Sequence, residues 1–460
     1  MENGRLKGKD KEVSMTPSRF PFHSAPLILG LAFFLAGCHP VARPPSAWSD
    51  THHVRLTRRP VISSPVVWDF DGDGTKEIAV GSWDGYFYLL DASLQDLPGW
   101  PQYSPKGFFS SPALADLNGD GVPEILVGSE AGLLFAWTFD GRDAPGFPVD
   151  FGYPIWASPT VFQGPNAEVR IAIGDKGRMH VLDAYGRSVP GWPQPLQGWP
   201  DATVATDGTL LAVTTLTPGD PSQGWLYAWT VTGDLLPGFP LELSLDADSS
   251  PALAELDGDN ECWIIFGDDA GFLHVVNEAG RARPGFPIRS AGPAPGLPTP
   301  TPHPPGGNIH SIEASPAVAD LTGDGRYEIV VGSWDGQLYV VDDAGRALPG
   351  WPIRVGDQII SSAALVDLTG DDRLDIVVGS KDTYLYGWSV TGAALPGFPI
   401  HLDAPVFSSP WIGDLESDGQ ADIVVGANNG IHVLRQVGPL GRSAWPMFHA
   451  NEGRTGRSTP

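Results

Sequence analysis

Five segments of this 460-residue chain place oxygen donors at alternate positions: DFDGDGTKE from Asp69, DLNGDGVPE from Asp116, DLTGDGRYE from Asp320, DLTGDDRLD from Asp367 and DLESDGQAD from Asp414. Calcium takes about six to eight hard oxygen ligands from carboxylates, carbonyls and water, and such a ladder can wrap one ion. In the first loop the ligands would be Asp69, Asp71, Asp73, the carbonyl of Thr75 and Glu77, with Gly74 at the bend. The second offers Asp116, Asn118, Asp120, the Val122 carbonyl and Glu124. The later three offer Asp320, Thr322, Asp324, the Arg326 carbonyl and Glu328; Asp367, Thr369, Asp371, the Arg373 carbonyl and Asp375; and Asp414, Glu416, Asp418, the Gln420 carbonyl and Asp422. Asp372 stands where the other loops have glycine, and aspartate tolerates the left-handed region this bend needs. The closing acid comes at the ninth place with isoleucine directly after it, whereas an EF-hand closes at about the twelfth, between helices. Solvated Asp/Gly turns are common in β-proteins, but five ladders in register predict about five structural calcium ions.

The ladders belong to a longer repeat. A Ser-Pro step precedes each one, at Pro65, Pro112, Pro159, Pro251, Pro316 and Pro410, with Ala363 in the matching place of one unit. Most intervals are 47 residues; the longest is two units with a degenerate repeat near Thr203, and another carries an insertion at 291–308. PGWP or PGFP corners keep the same phase, giving eight repeats. Within the second unit, SPALA, the ladder, ILVG, a four-residue turn and LLFAWTF read as strand, loop, strand, turn and strand, with a short strand after the corner. Four short strands per unit of about 47 residues predict an all-β, eight-bladed β-propeller, with seven blades as the alternative. Segments 54–62 and 444–448 would supply strands for closure, since closure removes exposed sheet edges. The third and fourth units lack alternating acids, and the fifth keeps Glu255, Asp257 and Asp259 but has Trp263 in the closing place, so at most a weak site is expected there.

A formal charge of −26 makes nucleic acid and anionic lipid surfaces poor partners. At the N-terminus, Lys7, Lys9, Lys11 and Arg19 precede an apolar run over 26–36 that ends in Leu-Ala-Gly-Cys38. That run is too short to span a bilayer and resembles a bacterial lipobox, with Cys38 as the lipidated residue. The expected organisation is a lipoprotein signal over 1–37, a Pro/Ser-rich tether over 38–55, the propeller over 56–450 and a tail over 451–460. Localisation would be the bacterial cell envelope, with the outer membrane or cell surface favoured. Cys262 is the one other cysteine and reads as a core thiol.

The Ser-Pro, ladder, Ile-Val-Val-Gly and hairpin unit resembles the FG-GAP/VCBS family of propeller repeats over about residues 60–450. The resemblance implies calcium loops on one face of the propeller with a mainly structural role, and it specifies no ligand. No G-x-S-x-G occurs, and the repeated serines (Ser64, Ser111, Ser158, Ser250, Ser315, Ser362, Ser409) read as parts of the repeat. His180 and His274 share a repeat column with Tyr88, Tyr339 and Tyr386, which favours a strand site for flat rings over a metal centre. Most tryptophans also recur by repeat; Trp156, Trp199, Trp225, Trp263 and Trp411 break the pattern. With the degenerate units, they make the third to fifth repeats the sector most open to specialisation. The expectation is a non-catalytic, monomeric scaffold that binds a protein or glycan and meets the membrane only through its lipid. The alternatives are a calcium-dependent enzyme acting on acidic polysaccharide and an outer-membrane assembly scaffold lipoprotein.

Overall fold

Each repeat folds into one antiparallel sheet whose second and third strands are short aliphatic runs buried along their length. In the first repeat these are Glu77–Gly81 and Tyr86–Leu90, flanked by Val66–Trp68 on the inside and Gln102–Tyr103 on the outside. The computed structural model describes residues 52–217, 222–259, 261–292 and 309–458. Within them eight such sheets follow one another, so the propeller has eight blades rather than the alternative seven. Residues 1–37, read above as a signal, together with Cys38 and most of the insertion, lie outside the described residues.

Both faces of every blade pack against a neighbour, which is why the middle strands carry Val, Ile and Leu without polar alternation. Glycine ends the second strand because the next crossing segment runs close to it. A Cβ on Gly332 would stand 2.3 Å from Ile359, and one on Gly379 2.3 Å from Val406.

The repeated serines tie the blades into a ring. The Ser64 N–H donates to Ser111 Oγ and the Ser111 N–H to Ser158 Oγ, with Thr203 taking the same role in the fourth blade. The series continues through Ser250, Ser315, Ser362 and Ser409, whose N–H donates back to Ser64 Oγ at 2.9 Å. The corner tryptophans add a second stitch: the Trp100, Trp192 and Trp351 indoles each donate to a carbonyl of the next blade. Ser111→Ala leaves the buried Ser64 amide without its acceptor and is expected to cost about 1–2 kcal/mol, read as a lower urea midpoint at unchanged slope.

Closure differs from the expectation in two ways. The N-terminal strand is His52–Leu56, which begins inside the segment read as a tether and pairs with Gly430–Pro439 as the outer strand of blade 8. Its last three residues, Val54–Leu56, fall within the segment 54–62 expected to supply a closing strand, and His52 and His53 extend it toward the N-terminus. Near the other end, Ser443–Trp445 joins the inner strand of blade 7 rather than the shared blade.

Residues 451–458 are not a free tail. They run around the inside of the channel, where the Leu114, Val161, Thr206 and Leu253 amides donate to the carbonyls of Glu452, Gly453, Thr455 and Gly456. Arg454 is buried at the centre, with its guanidinium donating to the carbonyls of Ser64, Pro65, Pro112 and Phe448. This segment satisfies inner-strand groups that no neighbouring strand can reach.

Candidate metal loops and the channel face

All five ladders connect the inner strand of a blade to its second strand, so they lie at one end of the propeller. The local fold follows from the first aspartate. Asp69 accepts hydrogen bonds from the N–H groups of Gly72 and Gly74, at 2.7 and 3.1 Å, and draws the loop around its carboxylate. Asp116, Asp320, Asp367 and Asp414 act alike. The fourth and sixth places are left-handed, at φ 74° for Gly72 and 94° for Gly74, and a Cβ there would meet open space. Conformation rather than crowding therefore selects glycine. Asp372 and Ser417 adopt the same region at 64° and 57°.

The closing acid begins the second strand and turns back into the loop. Glu77, Glu124, Glu328, Asp375 and Asp422 are all buried, and each accepts the N–H of the residue after the first aspartate. Burial, with the loop aspartates adding to it, pushes Glu77 and Glu328 up to about 7 and Asp375 to about 6. Glu124 and Asp422 move in the same direction, again chiefly through burial. A raised value records the cost of burying the charged form, which a bound cation would offset.

The structure brings Asp69, Asp71 and Glu77 together, with one oxygen of each within 4.8 Å of the others. This donor set fits a calcium ion. Asp73 turns toward the backbone, accepting the Thr75 N–H. In the second loop the Asn118 amide nitrogen faces Glu124 Oε1 at 2.6 Å, so its oxygen would have to turn inward to act as a ligand. In the eighth, Glu416 pairs with Arg435 at 2.5 Å and Asp418 accepts from Gln436. Thr322 and Thr369 supply neutral oxygens at the third place of the other two loops.

Two of the three units without a full ladder carry their own compensation. In the fifth blade, Arg283 reaches from the corner to Asp257 at 2.7 Å and to Asp343 at 3.0 Å, while its guanidinium lies 4.8 Å from the Trp263 ring centre. The Arg283 hydrogen bond holds the Asp257 carboxyl below the usual range. A protein guanidinium thus stands beside the ladder acids, and Trp263 fills the place of the closing acid. Residue spacing did not point to Arg283, because the pairing crosses from corner to loop and on to the next blade. In the third blade Arg170 pairs with Glu168.

His180 and His274 do not converge on a common centre. His180 pairs with Asp175 at 3.2 Å and His274 with Asp268 at 2.8 Å, each within its own blade. Tyr88, Tyr339 and Tyr386 make the same contact to Asp84, Asp335 and Asp382. The column therefore holds a ring that reaches its own hairpin acid.

The FG-GAP-like repeat model matches residues 48–127, which contain the first two ladders. No curated protein matches the sequence. Among solved structures, the chain is similar to Saccharomyces cerevisiae Sqt1 at TM-score 0.58 and 12% identity, covering 85% of this chain and 98% of that one. It is similar to the V. cholerae biofilm matrix protein Bap1 at 0.53 and 12%, covering 90% and 95%. BamB from Moraxella catarrhalis gives 0.51 and 14%, covering 83% and 97%. Likeness at these identities concerns the fold alone.

Proposed function

We propose that this propeller with FG-GAP-like repeats is a calcium-stabilised interaction scaffold, held at the bacterial cell envelope by lipidation of Cys38. The observation that carries the calcium reading is the first loop, where three carboxylates meet, the buried closing acid Glu77 among them, and among the described residues no ion pair reaches them. Calcium there would bind Asp69, Asp71 and Glu77 and supply the positive charge that the fold withholds. The other four ladders share the loop conformation and the buried closing acid, although among the described residues none of them brings three carboxylates so close together. Such loops brace one end of five of the blades and need no catalytic role, which leaves binding of a protein or glycan as the function. The fold's rims and its loops offer the surface for it.

Removing calcium is expected to lower the melting temperature. A site whose Kd lies tenfold to a hundredfold below the free calcium contributes about 1–3 kcal/mol. Scanning calorimetry with calcium and with a chelator measures this, and identical melting curves would sink the structural-calcium reading. Asp69→Asn combined with Glu77→Gln should remove part of the calcium-dependent increment. The anchoring claim is separate: Cys38→Ala should move the protein from the membrane fraction to the soluble fraction.

A further inference from the structure

We propose that Asp248, Asp269 and Glu313 form a second kind of divalent-cation site, at the mouth of the central channel on the face opposite the ladder loops. Asp248 and Glu313 precede the inner strands Ala252–Glu255 and Ala317–Ala319, and Asp269 follows Cys262–Gly267, the second strand of blade 5. In antiparallel blades those positions share one end, and the ladders occupy the other. One carboxylate oxygen from each residue lies within 4.8 Å of the other two.

The column that holds Asp248 and Glu313 stands three places before each Ser-Pro proline or its equivalent. Blades 4, 5 and 6 put Asp201, Asp248 and Glu313 there, while the other five have Ile62, Phe109, Trp156, Ile360 and Phe407. An apolar collar thus turns acidic over three consecutive blades. The structural repeat does not demand these acids, since five blades do without them.

Asp248 supplies an independent sign of a missing ligand. Its Oδ1 is cut off from solvent and has no hydrogen-bond partner. A buried carboxylate oxygen in that state is costly unless a cation answers it. Among the described residues no ion pair reaches Asp248 or Glu313. The charged groups that act on Asp248 are Asp201 and Asp246, and those on Glu313 are Asp248, Asp269 and Asp246, all acidic. Burial and these neighbours push both Asp248 and Asp269 up to about 8. The Ser311 hydroxyl donates to Asp269 Oδ1 at 2.6 Å and fixes its direction. Hard oxygens alone select an ion of the calcium class over zinc or copper.

Calcium titration calorimetry and terbium luminescence test the assignment, since the Trp334 indole stands beside Glu313 and can sensitise a bound terbium ion. The double variant Asp248→Asn, Glu313→Gln is expected to bind one calcium fewer per chain and to lose tryptophan-sensitised emission from this site. The ladder variant Asp69→Asn, Asp71→Asn should retain that emission. In chelator the double variant should melt above the unaltered protein, because charge repulsion has been removed. Equal calcium stoichiometry with unchanged emission overturns the proposal. If the double variant does not fold, Asp248→Asn alone serves, with at least tenfold weaker terbium binding expected and unchanged binding counting against the site. The outcome is independent of whether the ladders bind calcium, so the two assignments stand or fall separately.

Discussion

Arg454→Ala is expected to destabilise the propeller by about 3–5 kcal/mol, the largest effect of any single substitution considered. The guanidinium is fully buried and answers four backbone carbonyls, from Ser64 and Pro65 in blade 1, Pro112 in blade 2 and Phe448 in its own segment. Alanine removes every donor at once, leaves those carbonyls dry and opens a cavity where a long side chain stood. Burial pushes the Arg454 guanidinium down to about 9, so it remains charged at neutral pH while the carbonyl dipoles hold it. Arg454→Lys keeps a charge but loses the planar fork, and should recover only part of the loss. Urea denaturation of the two variants beside the unaltered protein measures this. A midpoint unchanged by Arg454→Ala would show that the channel segment adds nothing to the ring.

The second large effect belongs to two buried histidines, whose contribution to stability is lost between about pH 6.5 and 4 while the raised loop carboxylates act in the opposite direction over the same range. Burial lowers His432 to about 4, with the neighbouring His52 acting in the same direction and Asp403 against it. Burial lowers His449 to about 4 as well, opposed by its hydrogen bond with the Arg454 carbonyl. Both are neutral in the fold and have a folded value below the unfolded one of about 6.5. The unfolded chain therefore takes up protons first as pH falls. The stability these residues provide is complete above about pH 6.5 and is lost progressively on the way to pH 4. Each contributes roughly 3 kcal/mol over that range.

Both residues sit on the closure. His432 shares a 2.8 Å contact with His52 of the N-terminal strand, and His449 belongs to the channel segment. As pH falls from about 6.5 to 4, the unaltered protein should lose stability relative to the double variant His432→Gln, His449→Gln, read from the two denaturation midpoints. Unchanged dependence in the double variant would assign the acid sensitivity elsewhere.

The periodic part of this molecule is readable from the chain because each blade repeats one solution to one packing problem. The Ser-Pro step, the glycine that ends the second strand and the ladder residues all serve contacts between copies of the same unit. Their spacing carries the architecture. The ladder loops were legible for the same reason, down to the left-handed bend at Asp372. What escaped is whatever acts once. Arg454 lies in a segment without apolar pattern, and three of its four acceptors are backbone carbonyls 342 to 390 residues away. Arg283 was equally silent, since its partners Asp257 and Asp343 are fixed only after two blades are docked. The acidic collar could have been found by aligning the repeats on their Ser-Pro step and reading three places back.

The channel segment also sets an order of events. Residues 446–458 follow all eight blades in sequence, yet they hydrogen-bond to the inner strands of blades 2, 3, 4, 5 and 8. No partly synthesised chain can make these contacts, however many blades it has already formed. The ring therefore reaches its final state only after the whole of it has been translated, and every earlier stage carries inner strands with open backbone groups. A chaperone or a membrane pore handling this protein would meet an unsealed circle until that last stretch arrives.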